Sequence, residues 1–252
     1  MSAPTLFIKQ LIRLQQSRRQ ADGSYASQSL TKDSGLSLLE CLMAVAIIAL
    51  TAAMITPPLF LAAATRVQNR RAEQAMQIAQ GELERINVLV SQGQHLPERL
   101  PAVSGAANLR STNVPTTIST ATLDSVNPSC NTYNDQQLGL TQARPVDTDG
   151  DCRADFYMQV FRSPGTASLA EGDAGTNRPT EFELGVRVYA FLASENGTSF
   201  VSGLSPDPAS LILTTGSGRQ RTQPLAVLFR EVVWSDRSFS LCDYHNNSGD
   251  CL

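Results

Sequence analysis

From Cys41 to Thr65 the chain runs 25 positions without a charged residue. A helix rises about 1.5 Å per residue, so this stretch spans about 37 Å, enough to cross a bilayer with some tilt. The apolar positions then thin into a stripe. Met76, Ala79, Leu83, Ile86 and Val90 recur at steps of three and four, the spacing of one helix face. Arg70, Arg71, Glu73, Glu82, Glu84 and Arg85 take the remaining faces. The pattern predicts one continuous helix to about Gln92, with Gly93 as its C-terminal cap and Pro97 preventing resumption. Its first part is expected to be embedded in lipid; its second part is expected to back a soluble domain.

Beyond the helix the period changes. Residues 94–154 read as irregular, and residues 111–126 hold eight Ser or Thr in sixteen positions, a loop or weak strand. Four strand candidates follow: 156–161, 182–192 with Val186, Val188 and Tyr189, Leu211-Ile212-Leu213-Thr214, and 225–233. Pro164-Gly165, the prolines at 206 and 208, and the glycines at 216 and 218 separate them, and Asn196-Gly197 reads as a turn. A helix first and strands later indicate an α+β fold, with a small antiparallel sheet burying its inner face on the helix stripe.

The apolar segment opens with Gly35-Leu36-Ser37-Leu38-Leu39-Glu40. A lone carboxylate at the edge of such a segment is expensive in lipid and needs a partner or a function. Five basic residues precede it (Lys9, Arg13, Arg18, Arg19, Lys32) against Asp22 and Asp33, a balance that favours a cytoplasmic N-terminus. The Gly, the carboxylate five positions on, the basic leader and the long helix together resemble the start of type IV pilin-like precursors, over residues 30 to about 92.

The resemblance implies a modular chain: a cleaved leader at 1–35, a transmembrane and filament-core helix at 36–65, its amphipathic continuation at 66–92, and an exported head at 93–252. A prepilin peptidase would cut between Gly35 and Leu36 and methylate Leu36, a position where most of the family carries Phe. Glu40 would pair with the freed amine of a neighbouring subunit. An anion in lipid gains most when its cation arrives already desolvated, so pairing would select the docked register. Pro57 and Pro58 fall about six turns into the helix, where many pilins carry a helix-disrupting proline that permits melting or a kink.

Thr56-Pro57-Pro58-Leu59, Ala64-Thr65-Arg66-Val67-Gln68, and Asp149-Gly150-Asp151-Cys152 followed by Asp155-Phe156-Tyr157 are most similar to the cyanobacterial hormogonium polysaccharide secretion pseudopilins. That implies a non-enzymatic minor pilin or pseudopilin supporting polysaccharide secretion and gliding motility. Its partners would be the peptidase, other pilin or pseudopilin subunits, an inner-membrane assembly platform and lipid. The head would lie in the periplasm or outside the cell. The alternatives are a pseudopilin of a type II protein-secretion system and a membrane-anchored exported binding protein or enzyme.

Without residues 1–35 the chain keeps 15 basic residues, all Arg, and 21 acidic ones. That acidic balance argues against nucleic-acid binding. Arg66, Arg70 and Arg71 cluster just past the membrane segment and are read as a solvated helix face. Cys41 lies in the apolar helix and is expected to pack as a small hydrophobe. Cys130, Cys152, Cys242 and Cys251 are an even set in the exported part, consistent with an oxidising compartment. Three connectivities are open to them. Local pairing, Cys130 with Cys152 and Cys242 with Cys251, is favoured because each closes a short, turn-rich loop, and the C-terminal pair resembles the loop that pins many pilin heads.

One further motif carries candidate chemistry. Asp147, Asp149, Asp151 and Asp155 stand at relative positions one, three, five and nine, an arrangement that can converge on Ca²⁺ and that resembles short Asp-rich calcium loops. Cys152 and Met158 stand where such a loop usually has Gly and, in an EF-hand, Glu. The competing reading is a solvated acidic turn fixed by a disulfide at Cys152. No other cofactor is expected. His95 and His245 lack metal-ligand spacing and are read as surface residues, and Trp234 as core. The chain carries no nucleophile elbow, phosphate-binding loop or dinucleotide fingerprint.

Overall fold

The computed structural model describes residues 37–167, 177–210 and 219–234. Gly35, Leu36, the strand candidate 211–214, Cys242, Cys251 and His245 lie outside the described residues. The chain falls into two compact units, Met1–Met54 and Ile55–Leu252. The described part of the first is helix; the second is an α+β domain in which a helix packs on a mixed sheet.

Helix α1, Leu38–Ser91, is 54 residues long. It ends one residue before the predicted boundary, and the sequence signal there is the structural one. Gly93 adopts φ +67°, its amide bonds the Val90 carbonyl at 2.9 Å, and the Gln94 amide bonds that of Leu89 at 3.0 Å. This reciprocal pair satisfies carbonyls that the last turn would leave bare. The buried face is Ala75, Ala79, Leu83, Ile86 and Val90. Met76, expected in the stripe, is instead 37 % exposed, because one position along a helix is about 100° of rotation and the face is centred on the two small alanines. Glu82 also departs from the expected polar face: it is buried. Arg85 offsets that burial with two hydrogen bonds, Nε to Oε2 at 2.9 Å and Nη2 to Oε1 at 2.8 Å, while its Nη1 reaches Asp135 at 3.1 Å.

The sheet contains β1 (Ala102–Val103), β2 (Thr117–Ile118), β3 (Asp124–Ser125), β4 (Gln142–Asp147), β5 (Phe156–Arg162), β6 (Glu181–Ala190) and β7 (Ala226–Val233). The order is β2-β4-β5-β6-β7, with β1 beside β5 and β3 beside β4. Consecutive strands β4 to β7 are antiparallel, as expected, but the three two-residue strands pair parallel, so the sheet is mixed. They come from the long connection after α1. β4 covers the edge of β5 only as far as Met158, and β1 takes the remaining edge at Phe161 and Arg162.

One sheet face meets α1 through Val146, Phe156, Met158, Leu184, Val186, Val188 and Val232. The other face, with Tyr157, Tyr189 and Phe200, lies under the connections. Gly185 stands opposite Phe161, and a Cβ there would come within 2.5 Å of the ring, so the close packing of that ring requires glycine.

The exit of α1 corrects another expectation. His95 is fully buried, not at the surface, with its ring edge-on to Trp234 at 4.5 Å. Arg178 lies over the Trp234 ring at 4.7 Å and donates Nη1 to the Gly93 carbonyl at 2.7 Å. Trp234 packs against the main core, as read, and brings the end of β7 onto the helix cap.

Candidate functional site

The apolar start of α1 is built around its first turn. Ser37 caps the helix: its Oγ accepts the Glu40 amide at 3.2 Å, and its carbonyl accepts the Cys41 amide at 3.1 Å. Ser37 and Glu40 have the spacing of a capping box, so the start of the helix is marked in the sequence itself. Glu40 therefore sits in the first turn, where amide dipoles favour a negative charge.

From residue 37 to 64 every residue is exposed, including Leu39 at 72 % and Phe60 at 71 %. The helix is long and apolar enough to cross a membrane, and its most apolar stretch has no residue buried by protein. It is therefore compatible with a membrane anchor. Cys41, expected to pack as a small hydrophobe, is exposed like its neighbours. α1 runs unbroken through Pro57 and Pro58. Those prolines withhold the amides that would bond the carbonyls of Ala53 and Met54, and the helix remains continuous without them. Arg66 and Arg70 sit beyond the apolar run on an exposed face with Leu59, Ala62, Ala63 and Val67.

The acidic loop joins β4 to β5. Asp147, at the end of β4, is buried. Its Oδ2 accepts Ser125 Oγ at 2.6 Å and the Cys152 amide at 2.9 Å, and its Oδ1 accepts the Gly150 amide at 2.8 Å. Burial raises its carboxyl pKa, but the hydrogen bonds from Ser125, Gly150 and Cys152 outweigh that and hold it below the usual range. Asp149 and Asp151 bond the amides of Asp151 and Arg153 in turn.

The oxygens of Asp147, Asp149 and Asp151 lie within 4.8 Å of one another. Asp155 does not join them: its Oδ2 turns back to the amide and hydroxyl of Thr148. The Asp151 amide lowers the Asp149 pKa, yet desolvation and the charges of Asp151, Asp155 and Asp147 hold it above the ordinary value. Cys152 takes φ +67°, so it adopts at the sixth position the left-handed backbone that glycine supplies in calcium loops. It is disulfide-bonded to Cys130 across 22 residues, with Cα atoms 5.7 Å apart. Three carboxylates on one turn can hold a hard cation. The same turn is also complete in its own hydrogen bonds.

No family model, curated protein or solved structure matches this chain.

Proposed function

We propose that this chain is a minor pilin or pseudopilin, a structural subunit that a prepilin peptidase cuts between Gly35 and Leu36 and that assembles through α1 into a filament supporting polysaccharide secretion and gliding motility. One observation carries the reading: a helix that opens on the Glu40 carboxylate, exposes its apolar first part completely, and buries its later part on a sheet. An apolar surface of that size without protein cover needs lipid or other subunits, and the lone carboxylate at its edge needs a cation. In this reading the N-terminus is cytoplasmic, the head lies across the membrane, and Glu40 meets the freed amine of a neighbour.

The test is the intact mass, with N-terminal fragmentation, of the protein from its native membrane. A chain beginning at methylated Leu36 is the expected result. A chain retaining earlier residues would sink the pilin pathway and favour a membrane-anchored exported protein. Co-purification with a secretin and a protein-secretion ATPase would move the assignment to a type II secretion pseudopilin.

A further inference from the structure

The end of the head nearest the apolar part of α1 carries a rigid apolar turn. β6 starts near the helix cap, where the Trp234 amide bonds the Thr180 carbonyl at 2.8 Å. It runs back to Arg71, which lines one hollow with Ala190, Phe191 and Leu192. The last two open the 3₁₀ turn Phe191–Ala193 and are exposed, Phe191 at 56 % and Leu192 at 49 %. Among the described residues of the head, no other two large apolar neighbours in sequence are both exposed. Their backbone is fixed. The Phe191 amide bonds the Asp155 carbonyl at 2.9 Å, the Val201 amide bonds that of Ala193 at 2.9 Å, and Ala193 is buried with Tyr157, Tyr189 and Phe200.

The helix sets the height of this turn. Arg71 comes six residues after Thr65, the last of the charge-free run, hence about 9 Å along the axis. The polar layer on each side of a bilayer is roughly 5–8 Å deep. Arg66 and Arg70 therefore fall within it, and Arg71 at its outer edge with Phe191 and Leu192 beside it. Membrane helices tilt by about 20° on average. A group about 10 Å off the axis, the spacing of packed layers, then drops by roughly 3 Å on the lower side. That brings the turn into the headgroups.

Charge narrows the lipid. Arg71 and Arg153 share the hollow with Asp151 and Asp155, and Asp149 stands on the same acidic loop. The turn Arg219–Arg221 packs beside Phe191–Ala193, and exposed Glu195 follows it. On α1, Arg66 and Arg70 are followed by exposed Glu73. A surface so mixed matches zwitterionic headgroups, which offer a phosphate to arginine and an ammonium to a carboxylate. We propose that this end of the head docks on the phospholipid headgroup layer of the membrane that α1 crosses. Phe191 and Leu192 enter the boundary between headgroups and acyl chains, a depth that apolar surface elements reach, and Arg71 and Arg153 meet phosphates. The inference rests on α1 as a membrane anchor, not on cleavage after Gly35 or on filament assembly.

Phe191→Trp in the full chain, reconstituted in phosphatidylcholine vesicles, tests it by quenching from lipids brominated near the headgroup end of the acyl chains. The wild type is the control, because Trp234 lies beside Gly93, about 40 Å along the helix axis from Thr65. Phe191→Trp is expected to lose about half of its added fluorescence. The wild type should lose none, and neither should Val103→Trp, an exposed site on β1. Leu192→Trp gives the same reading should Phe191→Trp fail to fold. Quenching no greater than that of the wild type would overturn the docking. So would protection from iodide that grows with the protein-to-lipid ratio without bromolipid quenching, which would assign the turn to a second copy. Flotation separates the two failures: a chain that floats with the vesicles unquenched keeps the anchor and loses the docking, and one that does not float loses both.

Discussion

Asp147 shows how one side chain can set a loop. Its carboxylate receives a hydroxyl and two amides within five residues of itself or from the neighbouring β3, so it organises the turn that carries Asp149 and Asp151. Replacing it with Asn keeps the shape but loses the charge, and the one amide oxygen cannot accept both the Gly150 and the Cys152 amides, so an NH2 donor is set against an N–H; hydrogen bonds to an ionised partner are worth about 1.5–3 kcal/mol each. Asp147→Asn is expected to cost about 1–3 kcal/mol in urea unfolding of the head. The pH dependence has a definite sign. A carboxylate with a depressed folded pKa contributes stability that is fully present above its unfolded value of about 3.9, and that stability is lost as pH falls through the folded pKa. The wild type should therefore weaken below about pH 4, and Asp147→Asn should show a shallower acid limb; parallel limbs would mean that Asp147 contributes no charge-dependent stability. A second residue, Glu40, carries the proposed pilin role: on that reading Glu40→Ala should insert in the membrane normally but incorporate poorly into filaments. Normal incorporation would remove the charge-register role.

At the scale of elements, α1 was legible because its apolar spacing follows a single period and its end is marked by glycine. Gly93→Ala forces a Cβ into the left-handed region, with Arg178 Nη1 at 3.2 Å. It is expected to cost about 1 kcal/mol, read as a lowered urea midpoint with an unchanged slope. No loss would mean that the cap is supported elsewhere, at Arg178 and Trp234. Strands β5, β6 and β7 were also legible, from their aromatic and β-branched runs. β4 was not, because Arg144-Pro145 interrupts its pattern and proline argues against a strand interior. The structure shows why Pro145 is tolerated. The carbonyls of Ala143 and Asp147 accept the amides of Ser119 and Val126 on the outer edge of β4. By the same alternation Pro145 turns its nitrogen outward, into the gap between β2 and β3. The short parallel strands could not be placed individually, because two residues carry no period at all: β2 and β3 fall in the 111–126 stretch read as a loop or weak strand, and β1 in residues read as irregular. The burial of Glu82 and His95 depended on partners distant in sequence: for His95 the deciding residue is Trp234, and for Glu82 the deciding environment is the connection carrying Asp135.

At the scale of the whole molecule, the described parts divide the work between an apolar helical segment and a head closed by local ties. The Cys130–Cys152 disulfide encloses β4 and much of the acidic loop, so the turn bearing Asp147, Asp149 and Asp151 is fixed covalently as well as by its amides. That decides what calcium can add. A cation would not have to organise the loop. It would relieve the repulsion that lifts Asp149 above its ordinary pKa and make the head more rigid. At ten times its Kd, a ligand that binds only the folded state adds about 1.4 kcal/mol, a shift of a few degrees for a domain of this size. Melting of the oxidised full chain with and without calcium should show that rise, and the pair Asp149→Asn with Asp151→Asn should lose it while folding normally, because Asp147 still holds the turn. Asp155→Asn should keep the calcium response, since its carboxylate is directed at Thr148. An unchanged wild-type melting temperature would leave the loop as an acidic turn fixed by Asp147 and the disulfide.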